Sequence, residues 1–260
     1  MITPELREYA LTPDRFATIV EGSSVRRDDD GRICVLEGNI WASISAPRFE
    51  EHELDDVIAH VHELVMPEKH QVWWISELAR PANIVELLRT RGFTETKEGA
   101  HELRALVLTS PPEEIPTGIA VRRIETFEDF LAAREVQWEG FDVPPERRAL
   151  QRPNLRRDFE ESIELEVPAG FLALVDGRPA ATGMAVPSSR GVFLIAGTTA
   201  PWARGRGLYR ALVRARWDYA VERGTPALVV QAVVDTSFPI LQRLGFVEVG
   251  TILRLEEDRS

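Results

Sequence analysis

A glycine-rich turn between an apolar strand and an amphipathic helix is the feature that most restricts what this chain can fold into. The turn lies in Pro201–Leu212, which reads PWARGRGLYRAL, after the apolar run Val192–Thr198 and at the start of a predicted helix Gly207–Arg223. Glycines at a helix start let the backbone turn closely, so unpaired amide N–H groups point one way and the positive end of the helix dipole adds to them. The segment therefore predicts an α/β unit with a site for phosphate oxygens. A plain glycine turn before a helix with solvated arginines is the alternative.

The same segment differs from two common phosphate-binding motifs. It lacks the Gly-Lys-Ser/Thr ending of a P-loop, so nothing would hold a γ-phosphate and Mg²⁺. It is not the Gly-x-Gly-x-x-Gly dinucleotide turn, because Arg210 occupies the third glycine position and the unit comes late in the chain. Arg206, Arg210 and Arg214 recur every four residues, which places their guanidinium groups on the helix face away from the core, with Arg204 just before.

Hydrophobic periodicity and turn residues predict the elements around this segment. On the amino-terminal side they are a strand Ile119–Arg123, helices over 127–138 and about 145–163, and a hairpin of 171–175 and 180–186 that turns at Asp176-Gly177. On the carboxy-terminal side they are a buried strand 227–233, a short helix 238–244 ended by Gly245, and one or two strands in 246–255.

The first half of the chain repeats part of this order. Ser45-Ala46-Pro47, Leu54 and Gly92-Phe93 match Thr199-Ala200-Pro201, Leu208 and Gly245-Phe246 at an offset of about 154 residues. A linker is predicted at 111–118, where prolines and acids cluster. The sequence thus favours a duplicated fold, with a first domain over 1–110 and a second over 119–260, against two unrelated α/β units.

Taken together, these features resemble the GNAT N-acetyltransferase superfamily over about residues 118–255. The family signature Arg/Gln-x-x-Gly-x-Gly/Ala falls on Arg204, Gly207 and Tyr209, and Leu244-Gly245-Phe246 ends the short helix as in that family. The resemblance implies an α/β (α+β) fold of two GNAT-like domains, each a mixed, mostly antiparallel twisted sheet flanked by helices. The first copy is expected to be degenerate, because carboxylates in Glu50-Glu51-His52-Glu53 stand where a diphosphate would bind.

The resemblance also implies a function and a cofactor. The second domain would be an acyltransferase that moves an acetyl or other short acyl group from acetyl-CoA to an amine by direct attack on the thioester. Cofactor binding is expected at Gly197, Thr198 and Thr199, which would pair with the pantetheine arm where the strand splays from 227–233, and at the diphosphate loop. The loop residues are Arg204, Gly205, Arg206, Gly207, Leu208, Tyr209 and Arg210. Ser237, or Thr236, stands where the family has a helix-starting asparagine.

Two departures from the family pattern bear on mechanism. Tyr209 replaces a small residue, and would crowd the diphosphate or stack beside it. Leu241 stands where many members have a tyrosine that protonates the leaving thiolate; a thiol with a pKa of about 8.5 can leave without it. Asp235 and Glu139 are the candidate general bases, with a helix cap and a solvated loop acid as the respective alternatives.

The acyl acceptor is less defined by the sequence. Trp138, Phe141 and Trp202 either line an acceptor pocket or pack beside the core. The acceptor would be a small-molecule or peptide amine, and the number of subunits is left open. A non-catalytic acyl-CoA-binding or sensing protein is the alternative function.

The composition of the chain argues against several other classes of function. A net charge of −11 argues against non-specific nucleic-acid binding, and no apolar run is long enough to span a membrane. A single cysteine, Cys34, and the absence of a signal-like segment favour a cytoplasmic protein. His52, His60 and His62 have faintly metal-like spacing, but His60 and His62 would face different ways on a helix, so no metal is expected.

Overall fold

The computed structural model describes residues 2–96, 99–112, 118–166 and 168–257, and the chain divides into two compact units. Unit 1 contains Met1–Val107 together with Gln231–Ser260, and unit 2 contains Leu108–Val230. The last thirty residues, which the sequence groups with the second domain, are therefore compact with the first unit. Of the predicted linker, residues 113–117 lie outside the described residues. In the described ranges, no helix is both long and apolar enough to cross a membrane.

The elements follow in chain order. The strands are β1 (Arg26–Asp29), β2 (Cys34–Glu37), β3 (Trp41–Ser45), β4 (His70–Ser76), β5 (Phe93–Glu95), β6 (Glu102–Leu108), β7 (Ile119–Arg123), β8 (Ala169–Val175), β9 (Arg178–Ser188), β10 (Gly191–Thr199), β11 (Leu228–Val233) and β12 (Val247–Glu257). The helices are α1 (Pro4–Leu11), α2 (Leu54–Leu64), α3 (Ile84–Arg89), α4 (Phe127–Gly140), α5 (Pro145–Gln151), α6 (Leu155–Leu165), α7 (Leu208–Glu222) and α8 (Ser237–Arg243).

Unit 1 is built on a mixed sheet that the end of the chain completes. Strands β1, β2 and β3 form an antiparallel meander, and β3 pairs in parallel with β4 after the α2 crossover. Strand β12 pairs antiparallel with both β4 and β6, so that Ile252 faces Ser76 on one side and Leu103 on the other. The buried side chains Leu54, Val57 and Val61 of α2 belong to the hydrophobic core beneath this sheet.

Unit 2 repeats the order of antiparallel meander and parallel crossover. Strands β7, β8, β9 and β10 pair antiparallel in sequence, and α7 then leads to β11, which pairs in parallel with β10. The β8–β9 hairpin turns at Asp176 and Gly177, both with positive φ, because a two-residue turn of this hand needs left-handed backbone. The predicted α/β class with mixed, mostly antiparallel sheets flanked by helices is confirmed.

Most predicted elements lie where the pattern placed them, and one differs. Strand β7 has the predicted bounds, and the predicted hairpin and the helix after Gly207 are present. The helix expected over 145–163 is two helices, α5 and α6, separated by a short 3-10 turn at Arg152–Asn154. Pro153 lies within that turn and lacks the N–H that a continuous helix would need.

Candidate functional site

The glycine turn of unit 2 presents a row of unbonded amides. Gly205 and Gly207 have φ of +78° and +82°, left-handed values that glycine adopts without strain, and α7 begins directly after Gly207. Within the part of the chain that the structure describes, no protein oxygen accepts a hydrogen bond from the backbone N–H groups of residues 205–209. The first amides of a helix have no intrahelical acceptor, and here no side chain caps them. The turn is therefore equipped to bind an anion.

The arginines of the turn fix it to its surroundings. Arg204 donates from Nε to the Thr199 carbonyl at 3.4 Å and from Nη2 to the Gly140 carbonyl at 3.3 Å, which ties the turn to β10 and to the end of α4. Arg206 forms an ion pair with Asp176 at 3.2 Å, and both side chains are exposed. Exposed pairs of this kind contribute at most about 1 kcal/mol, so Arg206 can exchange Asp176 for a phosphate at little cost.

Strand β10 has a bulge just before its end. Ile195 pairs with Met184 and Thr198 with Thr182, so Ala196 and Gly197 together face the single residue Gly183 of β9. Ala196 has a φ of +52°, a left-handed value that is strained for alanine.

The parallel register with β11 covers Val192 to Leu194, and β10 continues beyond it through the bulge to Thr199. Such a bulge re-aims backbone groups, so the segment predicted to pair with pantetheine has an irregular backbone at its start.

The side chain of Thr198 is turned toward α4 and is buried. It contacts Gly140 so closely that a side chain on Gly140 would overlap the Thr198 hydroxyl. Gly140 is thus required where α4 meets β10.

Tyr209, the departure from the signature, packs on the sheet. A Cβ placed on Gly197 would lie 3.0 Å from Tyr209 Cε2 and 3.4 Å from its hydroxyl oxygen. The missing side chain of Gly197 therefore makes the space that the large ring fills, and the ring is directed to the bulge of β10.

Arg216 is a residue of this region that the sequence reading missed. It lies on α7 with 0% exposure, and its Nε donates to the Leu212 carbonyl at 3.0 Å while Nη1 donates to the Met184 carbonyl at 3.4 Å. Burial lowers the pKa of Arg216, and the neighbouring Tyr209 phenol partly opposes that shift. The available signal was its position, two residues after Arg214 and so on the opposite, apolar side of the helix.

The two candidate bases lie in different units. Glu139 is exposed at the end of α4, next to Gly140, and therefore one residue from a contact with the Arg204 side chain. Asp235 is exposed in the turn after β11 and belongs to unit 1. In the same turn, the Ser237 hydroxyl accepts a hydrogen bond from the Val233 N–H at 3.0 Å, which holds the start of α8.

The aromatic residues considered for an acceptor pocket separate into core and surface. Trp138 is 1% exposed and its Nε1 donates to Gln151 at 2.5 Å, so it belongs to the core and does not line an open pocket. Phe141 is 52% exposed at the end of α4. Trp202 lies beneath the Arg178 guanidinium, whose Cζ is 3.8 Å from the ring centroid.

The corresponding turn of unit 1 is closed by its own carboxylates. Glu50 and Glu53 form a reciprocal capping box, in which each side chain accepts a hydrogen bond from the other residue's backbone N–H. His62 Nε2 lies 2.8 Å from a Glu257 carboxylate oxygen, and His60 Nε2 lies 3.7 Å from an Asp28 carboxylate oxygen. Among the residues with described positions, no group of three or more histidine, cysteine, aspartate or glutamate side chains is placed to hold a metal ion.

The chain resembles several solved structures in fold, although its sequence identity to them is low. No family model matches the chain, and no curated protein does either. A GCN5-related N-acetyltransferase from Kribbella flavida superposes with a TM-score of 0.67 at 17% identity, covering 91% of each chain. A second one, from Sphaerobacter thermophilus, has a TM-score of 0.58 at 18% identity, covering 96% of this chain and 83% of that one. A tandem GNAT protein from the clavulanic acid biosynthesis pathway has a TM-score of 0.61 at 13% identity, covering 93% and 84%.

Proposed function

Since the chain has the fold of the GCN5-related N-acetyltransferases, we propose that it transfers an acetyl or other short acyl group from acetyl-CoA to an amine. The observation that carries the proposal is the row of unbonded amides at residues 205–209, at the start of α7. Backbone donors at a helix start suit the two negative charges of a diphosphate. Acetyl-CoA combines such a diphosphate with a thioester.

The turn and the strand before it suit different parts of the cofactor. The amides from Gly205 to Tyr209 would hold the diphosphate, with Arg206 and Arg210 beside it. The backbone of residues 197–199, which continues past the parallel register with β11, would pair with the amide groups of the pantetheine arm as an added strand. The irregular backbone of the bulge would then direct the Gly197 N–H to the thioester carbonyl, whose oxygen gains negative charge as the amine attacks.

The chain's own groups would manage the protons. A carboxylate accepts the proton of the attacking amine, directly or through water, and Glu139 is the first choice because it adjoins a contact of the cofactor turn. Asp235 is the second choice. The C–S bond then breaks, and the thiolate leaves with its electron pair and takes a proton from solvent. Leu241 is fully buried and cannot donate one.

We infer that the chain is a tandem arrangement of two copies, of residues 1–110 and 119–260 with a linker at 111–118. The shared order of meander and parallel crossover in the two units supports this. The first copy would not bind CoA, because the Glu50–Glu53 capping box already occupies amides of its turn. The acceptor would be a small-molecule or peptide amine.

A non-catalytic acyl-CoA-binding protein is the second candidate, and the burial of Leu241 at the position of the missing acid favours it. Two measurements separate the candidates. Calorimetry should show one acetyl-CoA bound per chain, and heat-silent titration would contradict both. If the protein is a transferase, it should release free thiol with at least one amine of a panel, and the rate should fall by tenfold or more in Glu139→Gln. Tight binding of acetyl-CoA with no amine accepted would favour the non-catalytic binding protein.

A further inference from the structure

Arg216 is a cation held inside unit 2 without an acid. Its side chain is completely buried. Nε and Nη1 donate to carbonyls, whereas Nη2 makes no well-aligned hydrogen bond and has the Tyr209 phenol as its polar neighbour. Across the described residues, no carboxylate forms an ion pair with it. A buried polar group without a well-aligned partner is uncommon in folded proteins and calls for an explanation.

Stability does not supply that explanation. Removing a charged group from water is unfavourable unless it is fully paired, and an apolar side chain of similar length is often as good or better at such a position. Departures of this kind from well-satisfied packing are expected at functional or strained sites. The cost of burying Arg216 therefore indicates a role beyond the packing of α7.

The position of Arg216 indicates what that role is. Gly183 is the single β9 residue opposite the β10 bulge, and a Cβ placed on it would lie 2.8 Å from Arg216 Nη1. The carbonyl of the next residue, Met184, accepts a hydrogen bond from the same Nη1. Met184 also pairs with Ile195, where the bulge begins. The guanidinium thus lies directly beneath the part of β9 against which the bulge is formed.

Tyr209 makes a second connection between Arg216 and the bulge. The Arg216 Cζ lies 5.9 Å from the centroid of the Tyr209 ring, and that ring covers Gly197. Arg216 therefore supports the bulge by two routes, from β9 through the Met184 carbonyl and from α7 through the Tyr209 ring. The first route ends at Ile195, where the bulge begins, and the second ends at Gly197 within the bulge.

We propose that Arg216 is a positioning residue for acyl transfer, which acts through Met184 and Tyr209 to hold the β10 bulge in the conformation that aims the Gly197 N–H at the thioester carbonyl. The catalytic part of this inference rests on the proposed function, whereas the support of the bulge does not. A fixed positive charge beneath the strand also favours the negative charge that develops on the carbonyl oxygen.

Hydrogen exchange of the ligand-free protein tests the support of the bulge. Arg216→Met keeps the length of the side chain but removes the donors and the charge, and Arg223→Met, at the exposed end of α7, is the matched control. Exchange at residues 195–199 should be about tenfold faster in Arg216→Met than in the wild type or the control, and the melting temperature should be equal or higher. Unchanged exchange at 195–199 would overturn the inference, whether or not the protein binds CoA.

Kinetics with acetyl-CoA test the catalytic part. In Arg216→Met, kcat should fall at least tenfold while the calorimetric Kd for acetyl-CoA stays within twofold of wild type, and Arg216→Lys should restore part of kcat. An unchanged kcat, or a weaker affinity for acetyl-CoA together with a lower melting temperature, would reject a positioning role. A wild-type protein that binds no acetyl-CoA would instead refute the proposed function, and the exchange result would still decide whether Arg216 supports the bulge.

Discussion

Two substitutions of Gly205, by asparagine and by aspartate, differ only in the charge that they place beside the expected diphosphate. The φ of Gly205, +78°, lies in the left-handed region, which asparagine and aspartate tolerate better than most residues. A Cβ at this position would have no heavy atom within 4 Å, so a side chain can be added without a clash. Gly205→Asn and Gly205→Asp therefore share size and backbone strain and differ by one negative charge.

The expected difference in binding follows from Coulomb's law. Two phosphate charges at about 6 Å from the new carboxylate repel it by about 1.4 kcal/mol in total at the dielectric constant of water, the appropriate value for an exposed turn. This energy corresponds to about a tenfold weaker Kd for the aspartate variant. Salt at about 1 M shortens the Debye length to about 3 Å, so the difference should nearly vanish there.

Calorimetric titration of both variants with acetyl-CoA, in about 0.01 M and about 1 M salt, measures this difference. Equal melting temperatures of the two variants would establish that they are matched in stability. Equal Kd values at low salt would refute the reasoning, because a carboxylate on Gly205 cannot avoid a diphosphate bound by the adjoining amides.

Three further predictions concern unit 1. Ile252→Ala removes a fully buried side chain where β12 joins β4 and β6, and should lower the free energy of unfolding by about 2 to 4 kcal/mol in urea; a loss below about 1 would contradict the role of β12. Burial raises the pKa of Asp14 above its ordinary 3.8, so its ionisation makes the folded state less stable as pH rises. Asp14→Asn should gain stability relative to wild type between about pH 4 and 7, and a gap that does not change with pH would be evidence against this. Burial raises the pKa of the Cys34 thiol to about 12, so a thiol reagent at about pH 8 should label only unfolded protein, and rapid labelling of native protein would disagree.

Local features of the sequence predicted the turn well. Two positive-φ glycines and the start of a helix are encoded within Pro201–Leu212 itself, and Asp176-Gly177 encodes a hairpin in the same way. These conformations depend on residues that are neighbours in the chain, which is why their positions could be read from it.

Features that depend on distant residues could not be read in this way. The direction of the Tyr209 ring depends on the missing side chain of Gly197, and the two residues lie on different elements, α7 and β10. The position of Arg216 on the apolar side of α7 indicates burial, but its contact with the Met184 carbonyl joins residues 32 positions apart and has no signal in the local pattern. The pairing of β12 with β4 joins residues more than 170 positions apart, and the alternation of apolar residues in a strand does not specify its partner.

Amide NMR of Gly205 and Gly207 measures whether the turn after β10 binds the diphosphate of acetyl-CoA through its backbone amides. Titration with acetyl-CoA should move both resonances in a saturable manner, and acetyl-pantetheine, which lacks the diphosphate, should leave them nearly unmoved. If acetyl-CoA binds while both resonances stay in place, the cofactor is held elsewhere.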